Sequence, residues 1–415
     1  MSVRRTAAVL AVTAVIGTAA APAALADDSS PSPSPSRALP SGLYGTTDPT
    51  YDGVWRQSLA LLAQHTAGVK PARKAVDWLT GQQCASGAFA PYRADASAKC
   101  DAKTTVDTNS TAAAVQALAA LGGHAAETDK ALAWLKSAQN KDGGWGFAAG
   151  GASDANSTSV VIGALAAAGD RPADVTKGGR SPYDALLKLA VPCGDDGGGA
   201  FAYQPDKKGA LAANEDATAA GVLGALGKGF AAPAGKAAGG SACADAKKPT
   251  PRDAARNGAA HLAGVLHGTP YLKSAMPGAK DQPDHGNTAD AVVALAAAGR
   301  TGDTDGPLAW LEKNSGAWAA KSGPAAYAQL IFAAHATGTD PRDFGGADLV
   351  RQLGATGPAT QASGHSDGPG TDQGDKKKDS DEDGGIGVWW IVGVGLVAGV
   401  GVGFLISGRN RKRQP

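Results

Sequence analysis

Aromatic side chains are sparse in this chain. Its 415 residues include 8 tryptophans, 7 tyrosines and 7 phenylalanines, about 5% of the total. A pocket that steadies a carbocation needs many π faces, and the sequence offers few. Net charge is also nearly absent, at +1, so there is no electrostatic footprint for nucleic acid. The four cysteines form no CxxC pair and the seven histidines are scattered without HxxxH spacing, so no metal site is expected. No alternating apolar pattern of strand length competes with the helical one. What remains is an alanine- and glycine-rich, helix-forming chain with two unusual ends.

The first end reads as an export signal. Arg4 and Arg5 precede an apolar run from Ala7 to Ala21, and Ala24-Leu25-Ala26 offers a small-residue cleavage site, giving a signal peptide over residues 1–26. A Ser/Pro-rich linker follows over 27–40, with Ser29 to Ser36 as an extended spacer. At the other end, residues 356–385 are polar, charged and glycine-rich. They are expected to form a disordered stalk. Ile386 to Ile406 is an uncharged apolar stretch of 21 residues, long enough for one transmembrane helix. Trp389 and Trp390 lie near its outer boundary, and the basic tail of residues 407–415 is expected to stay cytoplasmic. The expected localisation is therefore the cell membrane, single-pass, with the N-terminal domain extracellular. Gly395, Gly399 and Gly403 share one face of that helix, suited either to a second helix or simply to a glycine-rich span.

Outside the cell an even cysteine count implies disulfides among Cys84, Cys100, Cys193 and Cys243, with three connectivities available. Cys84–Cys100 and Cys193–Cys243 are favoured, because each pair would close within one repeat.

The segment 41–355 is repetitive. Its clearest unit runs from Ala131 to Phe147 and on through Ser153 to Gly169. An amphipathic helix stops at Gly143-Gly144, and a nearly all-apolar helix then ends at glycine. The apolar half recurs at Asn109–Gly122, Asn214–Gly227 and Gly286–Gly299, with divergent copies at Val54–Gly68 and Ala325–Gly338. Amphipathic helices are expected at Ala72–Gln83, Thr128–Gln139, Tyr183–Ala190, Arg252–Leu266, Pro307–Lys313 and Ala347–Leu353. A helix that is apolar all round must be buried, and an amphipathic one can cover it. The pattern therefore predicts an all-α fold with about six inner and six outer helices. The absence of a polar end repeat argues for a closed ring over an open solenoid. The last short helix is expected to pair with the first apolar one and complete the ring.

The run Gln139 to Phe147, QNKDGGWGF, resembles the QW-type repeat of squalene cyclases and protein prenyltransferase β-subunits. Gln82…Gly87-Ala88-Phe89 and Gly197 to Phe201 are weaker echoes. The segments Val106–Gly122 and Ser153–Gly169 also look like inner helices of the cobalamin-carrier branch, the intrinsic factor and transcobalamin type. The resemblance implies an α/α toroid over about Leu43 to Ala355. It also implies that Asp107, Asn109, Thr111, Asp154, Asn156, Thr158, Asn214, Asp216, Asp284 and Asn287 gather at one mouth of the ring. Ordinary helix capping explains the same Asn and Asp residues equally well.

The activities of the family each need groups that are missing here. A prenyltransferase resemblance would require an Asp/Cys/His zinc site, and a squalene-type cyclase would require a DxDD-like acid cluster. Neither is found, and no catalytic residue is assigned. The leading expectation is a surface ligand-binding protein, with a corrinoid-like small molecule as ligand rather than cofactor and a membrane protein as recipient. A structural or adhesion module reading wall glycan or protein is the alternative, and a terpenoid-cyclase-type enzyme comes last.

Overall fold

The computed structural model describes residues 39–237, 242–275, 279 and 281–360. The signal peptide, most of the two tethers, the transmembrane span with Gly395, Gly399 and Gly403, and the basic tail lie outside the described residues. Among the described residues no helix is long and apolar enough to cross a membrane.

The helices run in chain order as α1 (Gly53–Thr66), α2 (Arg73–Gly81), α3 (Thr108–Leu121), α4 (Ala125–Ala138), α5 (Ala155–Ala167), α6 (Pro182–Leu187), α7 (Glu215–Ala225), α8 (Pro251–Gly268), α9 (His285–Ala297), α10 (Asp305–Asn314), α11 (Gly316–Ser322), α12 (Pro324–Thr337) and α13 (Leu349–Ala355). The six helices expected to be apolar all round are α1, α3, α5, α7, α9 and α12. Most residues of each are buried. Each packs on the next, and α12 packs back on α1, so the inner ring is closed. The amphipathic α2, α4, α6, α8, α10 and α13 lie outside them and bury only the stripe that faces inward, as Ala131, Leu132 and Leu135 do on α4. Alanine at the contact faces lets the inner helices approach closely, and the small side chains leave little room for error in packing.

Three details differ from expectation. Helix α11 is an extra outer segment. Ser315 ends α10 and starts α11, within an Asn314-Ser315-Gly316 run that breaks the helix. A short antiparallel pair, β1 (Leu272–Lys273) with β2 (Pro283–Asp284), precedes α9. Finally, α13 packs on α12, and the seam of the ring is closed by the chain on either side of the domain. The Gly45 N–H donates to the Thr356 carbonyl at 2.8 Å, and the Tyr44 hydroxyl donates to the Pro358 carbonyl at 3.4 Å. The folded domain therefore continues past Ala355.

The glycine turn of each unit joins it to the next. Gly143 has φ of +93°, and a Cβ there would lie 2.1 Å from the carbonyl oxygen of Ser181, the residue that caps α6. Gly87 stands in the same way against the Lys130 carbonyl of α4. The glutamine of the repeat holds this turn. Gln139 Nε2 donates to Gly143 O at 2.8 Å and Val175 O at 3.0 Å, and Gln83 Nε2 donates to Gly87 O at 3.0 Å and Glu127 O at 2.8 Å. The first repeat's glutamine is thus Gln83. Gln82 instead accepts from Arg93 N.

The disulfides pair Cys84 with Cys100 and Cys193 with Cys243, across sequence separations of 16 and 50. Replacing both Cys84 and Cys100 with serine should lower stability by about 3 kcal/mol in the chain-entropy account. A denaturant midpoint that does not move would rule out that contribution.

Candidate functional site

The inner helices begin at one end of the ring, and their first turns share a register. Asp107, Asp154, Asn214 and Asp284 are the N-caps of α3, α5, α7 and α9. They accept from Ser110 N (2.6 Å), Ser157 N (2.6 Å), Ala217 N (2.7 Å) and Asn287 N (3.0 Å) respectively. Four residues on, Thr111, Thr158, Thr218 and Thr288 accept the backbone N–H of Phe89 (2.9 Å), Trp145 (3.1 Å), Phe201 (2.9 Å) and Leu272 (2.9 Å). These two positions fasten the incoming chain to the inner helix. Thr111 and Thr158 are fully buried in that role, and Thr218 and Thr288 complete a set of which the sequence reading named only half. Asn287 Nδ2 also turns back to Asp284 Oδ2 at 2.9 Å.

The second position after the cap differs. It holds Asn109, Asn156 and Asp216 on the adjacent helices α3, α5 and α7. Asn156 Nδ2 donates to Asp216 Oδ2 at 2.6 Å. Asn109 and Asn156 are 7% and 8% exposed, yet Oδ1 of each has no hydrogen-bond partner, and neither does Asp107 Oδ2. Buried acceptors are almost always paired in folded proteins. Asn109 and Asn156 also head Asn-Ser-Thr sequons, and their burial leaves no access for glycosylation.

Direction along the ring is set by neighbours. Glu215 reaches outward to His261 of α8 at 3.7 Å, while the next residue, Asp216, meets Asn156 across the mouth. On α9, His285 stacks outward on Trp310 and Trp318. Deeper on the same helix Asp290 accepts from Gln329 Nε2 of α12 at 2.9 Å. Asp216 and Asp290 keep some contact with solvent although protein surrounds them. On helices sheathed by an outer layer, such contact is through the bore.

Burial governs the charge of this group. Asp290 is pushed up to about 7, first by desolvation and then by the neighbouring charge of Asp216 and Asp284. Asp154 is pushed up to about 6 by desolvation, against the hydrogen bonds from Ser157, with Asp216 adding to the rise. Asp107, also at about 6, is raised by desolvation alone. Asp216 and Asp284 are raised for the same first reason. Burial and the nearby Asp154 and Asp216 push the Tyr203 hydroxyl up as well. Among the described residues, no Lys, Arg or His forms an ion pair with Asp154, Asp216, Asp284 or Asp290. No cluster of three or more His, Cys, Asp or Glu residues there could hold a metal ion.

An aromatic cluster joins α1, α12 and the chain after α7. The chain after α7 turns inward, and Phe230 lies edge-on to Trp55 of α1 (centroids 5.4 Å) and stacked with Phe332 of α12 (6.5 Å). Gln116 of α3 fixes this loop, accepting from Phe230 N at 3.0 Å and donating to Val160 O at 3.1 Å. Phe332 lies three residues after Gln329, on the same face of α12. The sequence reading missed Asp290, Gln329, Tyr203 and Phe230. A lone carboxylate inside the otherwise apolar Ala289–Ala298 run was the available signal for Asp290.

A hollow of about 600 Å³ opens elsewhere, where α1 and α3 end, lined by His65, Lys70, Asp77, Leu121 and His124 among others. None of its lining side chains has a buried unpartnered atom, so the mouth is the better candidate.

Residues 54–188, covering α1 to α6, match the prenyltransferase α/α-toroid domain. Over that stretch the chain is similar to the terpenoid cyclase/prenyltransferase toroid superfamily. Two solved structures resemble this toroid. One is a protein from Actinoplanes, 15% identical, with a TM-score of 0.48 over 73% of this chain and 96% of that one. The other is the type II terpene cyclase MstE from Scytonema, 15% identical, with a TM-score of 0.41 over 65% of this chain and 72% of that one. No curated protein matches the toroid chain.

Proposed function

We propose that this protein is an exported, membrane-anchored ligand-binding toroid, which holds a small molecule at the inner-helix mouth and passes it to a membrane partner. The observation that carries this reading is the pair of buried, unpartnered Oδ1 atoms of Asn109 and Asn156 beside Asp216. Each unmatched acceptor costs about 1–3 kcal/mol, a cost that a bound donor removes. The N-terminal signal sequence and the Ile386–Ile406 span support export and anchoring, as do two disulfides, which persist in oxidising compartments. Gly395, Gly399 and Gly403 offer one face for a partner helix. The likeness of Val106–Gly122 and Ser153–Gly169 to cobalamin-carrier helices makes a corrinoid the first ligand to try.

The test is titration of the full chain, in non-ionic detergent, with a cobalamin panel, reading visible spectra and melting temperature. Binding at a hundredfold excess over Kd stabilises by about 2.7 kcal/mol, which a melt resolves. Unchanged spectra and melts across the panel would remove the corrinoid.

One observation favours an enzyme instead. Asp290 retains a proton near neutrality, and Phe332 lies one turn along α12 from its partner Gln329. An acid held protonated near an aromatic ring is what polyene cyclisation uses. Incubation with a linear polyprene would yield a cyclised product lost in D290N if this second reading holds.

A further inference from the structure

We infer that the ligand of this bore is a protonated amine carrying an apolar body, seated with its three N–H donors on Asp216, Asp290 and the free Oδ1 atom of Asn156, and with its body against Trp55, Phe230 and Phe332. The inference rests on the ligand-binding reading above and narrows it to one chemical class.

Four observations lead there. First, the unmatched carboxylate and amide atoms at the mouth, Asp107 Oδ2, Asn109 Oδ1 and Asn156 Oδ1, are acceptors, and the unmatched Thr108 hydroxyl between them can accept as well as donate. A ligand that satisfies them must bring donors, which argues against a carboxylate or phosphate. Second, the carboxylates of Asp154, Asp216, Asp284 and Asp290 sit near enough to raise one another's proton affinity, and no described basic side chain forms an ion pair with them. Natural proteins seldom bury several like charges without a counter-ion, because each uncompensated charge is costly. A bound cation supplies that counter-ion. Third, among the described residues no group of three or more His, Cys, Asp or Glu could hold a metal ion. Fourth, Trp55, Phe230 and Phe332 form an aromatic cluster between inner helices, and a ring face attracts an ammonium as well as its alkyl body.

The neighbours of Asp290 predict a linked proton. Facing it are Asp216 from α7, Asp284 from the start of α9 and Gln329 from α12, with Asp154 and Tyr203 beyond Asp216. None is a cation. An ammonium bound there favours the ionised carboxylate, so uptake should release a proton from the carboxylate group near neutral pH.

The experiment uses the full chain in non-ionic detergent and three probes of one shape: 1-adamantylamine, 1-adamantanol and 1-adamantanecarboxylate. Calorimetric titration at pH 7 should show the amine binding at least tenfold tighter than the alcohol and the carboxylate not binding. Its affinity should rise between pH 6 and pH 8, and repeating the titration in buffers of different ionisation enthalpy should reveal the released proton. D216N and D290N should each weaken the amine tenfold or more and leave the alcohol unchanged. Their melting curves establish that they fold. Binding of the alcohol or carboxylate as tightly as the amine would overturn the cation assignment and leave a small-molecule site standing. Failure of all three probes would also overturn it, and the corrinoid titration then decides the broader reading alone.

Discussion

Replacing Trp145 with alanine should lower the stability of the toroid by about 4 kcal/mol, the scale for a large buried aromatic. The side chain is 1% exposed and belongs to the continuous inner core. It also joins two layers. Its indole Nε1–H donates to the Leu135 carbonyl at 2.7 Å. That carbonyl lies in the last turn of α4, where helical carbonyls have no partner along their own helix. Its backbone N–H donates to Thr158 of α5 at 3.1 Å, and its carbonyl accepts from Asp154 N at 3.0 Å. W145F should cost less, about 1–2 kcal/mol, because most of the packing survives while the Leu135 carbonyl loses its donor. Chemical denaturation of both variants measures the difference. A W145F midpoint equal to that of wild type would show that the indole hydrogen bond contributes nothing.

D290N should stabilise the protein at pH 8 by about 2 kcal/mol, and the gain should disappear at pH 4. The wild-type carboxyl is raised from 3.8 to about 7 in the fold, and each pKa unit corresponds to about 1.4 kcal/mol. The full shift is halved here because Asp290 keeps some solvent contact. Between about pH 4 and pH 7 the folded protein holds a proton there that the unfolded chain has released. Stability therefore falls as pH rises through that window and levels off above it. Asp107 and Asp154, both raised to about 6, add slopes of the same sign over a narrower range. Asparagine keeps an oxygen to accept from Gln329 and never ionises, so the variant's profile should be flatter by the Asp290 share. Parallel profiles for wild type and D290N, from melts at half-unit steps, would show that the carboxyl is not strained by burial.

The inner ring was legible because its helices lack a polar face. A run such as Val160 to Ala168 has no side chain that wants water, so it must be wrapped, and six such runs without an end cap imply closure. The disulfide pairing followed from the repeat boundaries, and the caps Asp107, Asp154, Asn214 and Asp284 followed from residue type ahead of each apolar run. What escaped notice depends on contacts distant in sequence. Gln116 holds Phe230 across 114 positions, and the loop from Gly227 to Gly235 repeats nothing that could have flagged it. Gln83 was passed over for Gln82 because the two are identical neighbours and only the hairpin register separates them. At the mouth, capping and ligand contact predicted the same residue types. The atoms left unpaired on Asn109 and Asn156, and not on Thr111 or Thr158, point to the second role, although the cap Asp107 also leaves Oδ2 unpaired.

The seam between Tyr44 and Pro358 has a mechanical meaning. The first and last stretches of the domain leave from adjacent points, so a pull on one tail against the other loads a few bonds between Tyr44, Gly45, Thr356 and Pro358 in place of the stacked helices. Tension between the two tails would open that clasp before it disturbed the bore.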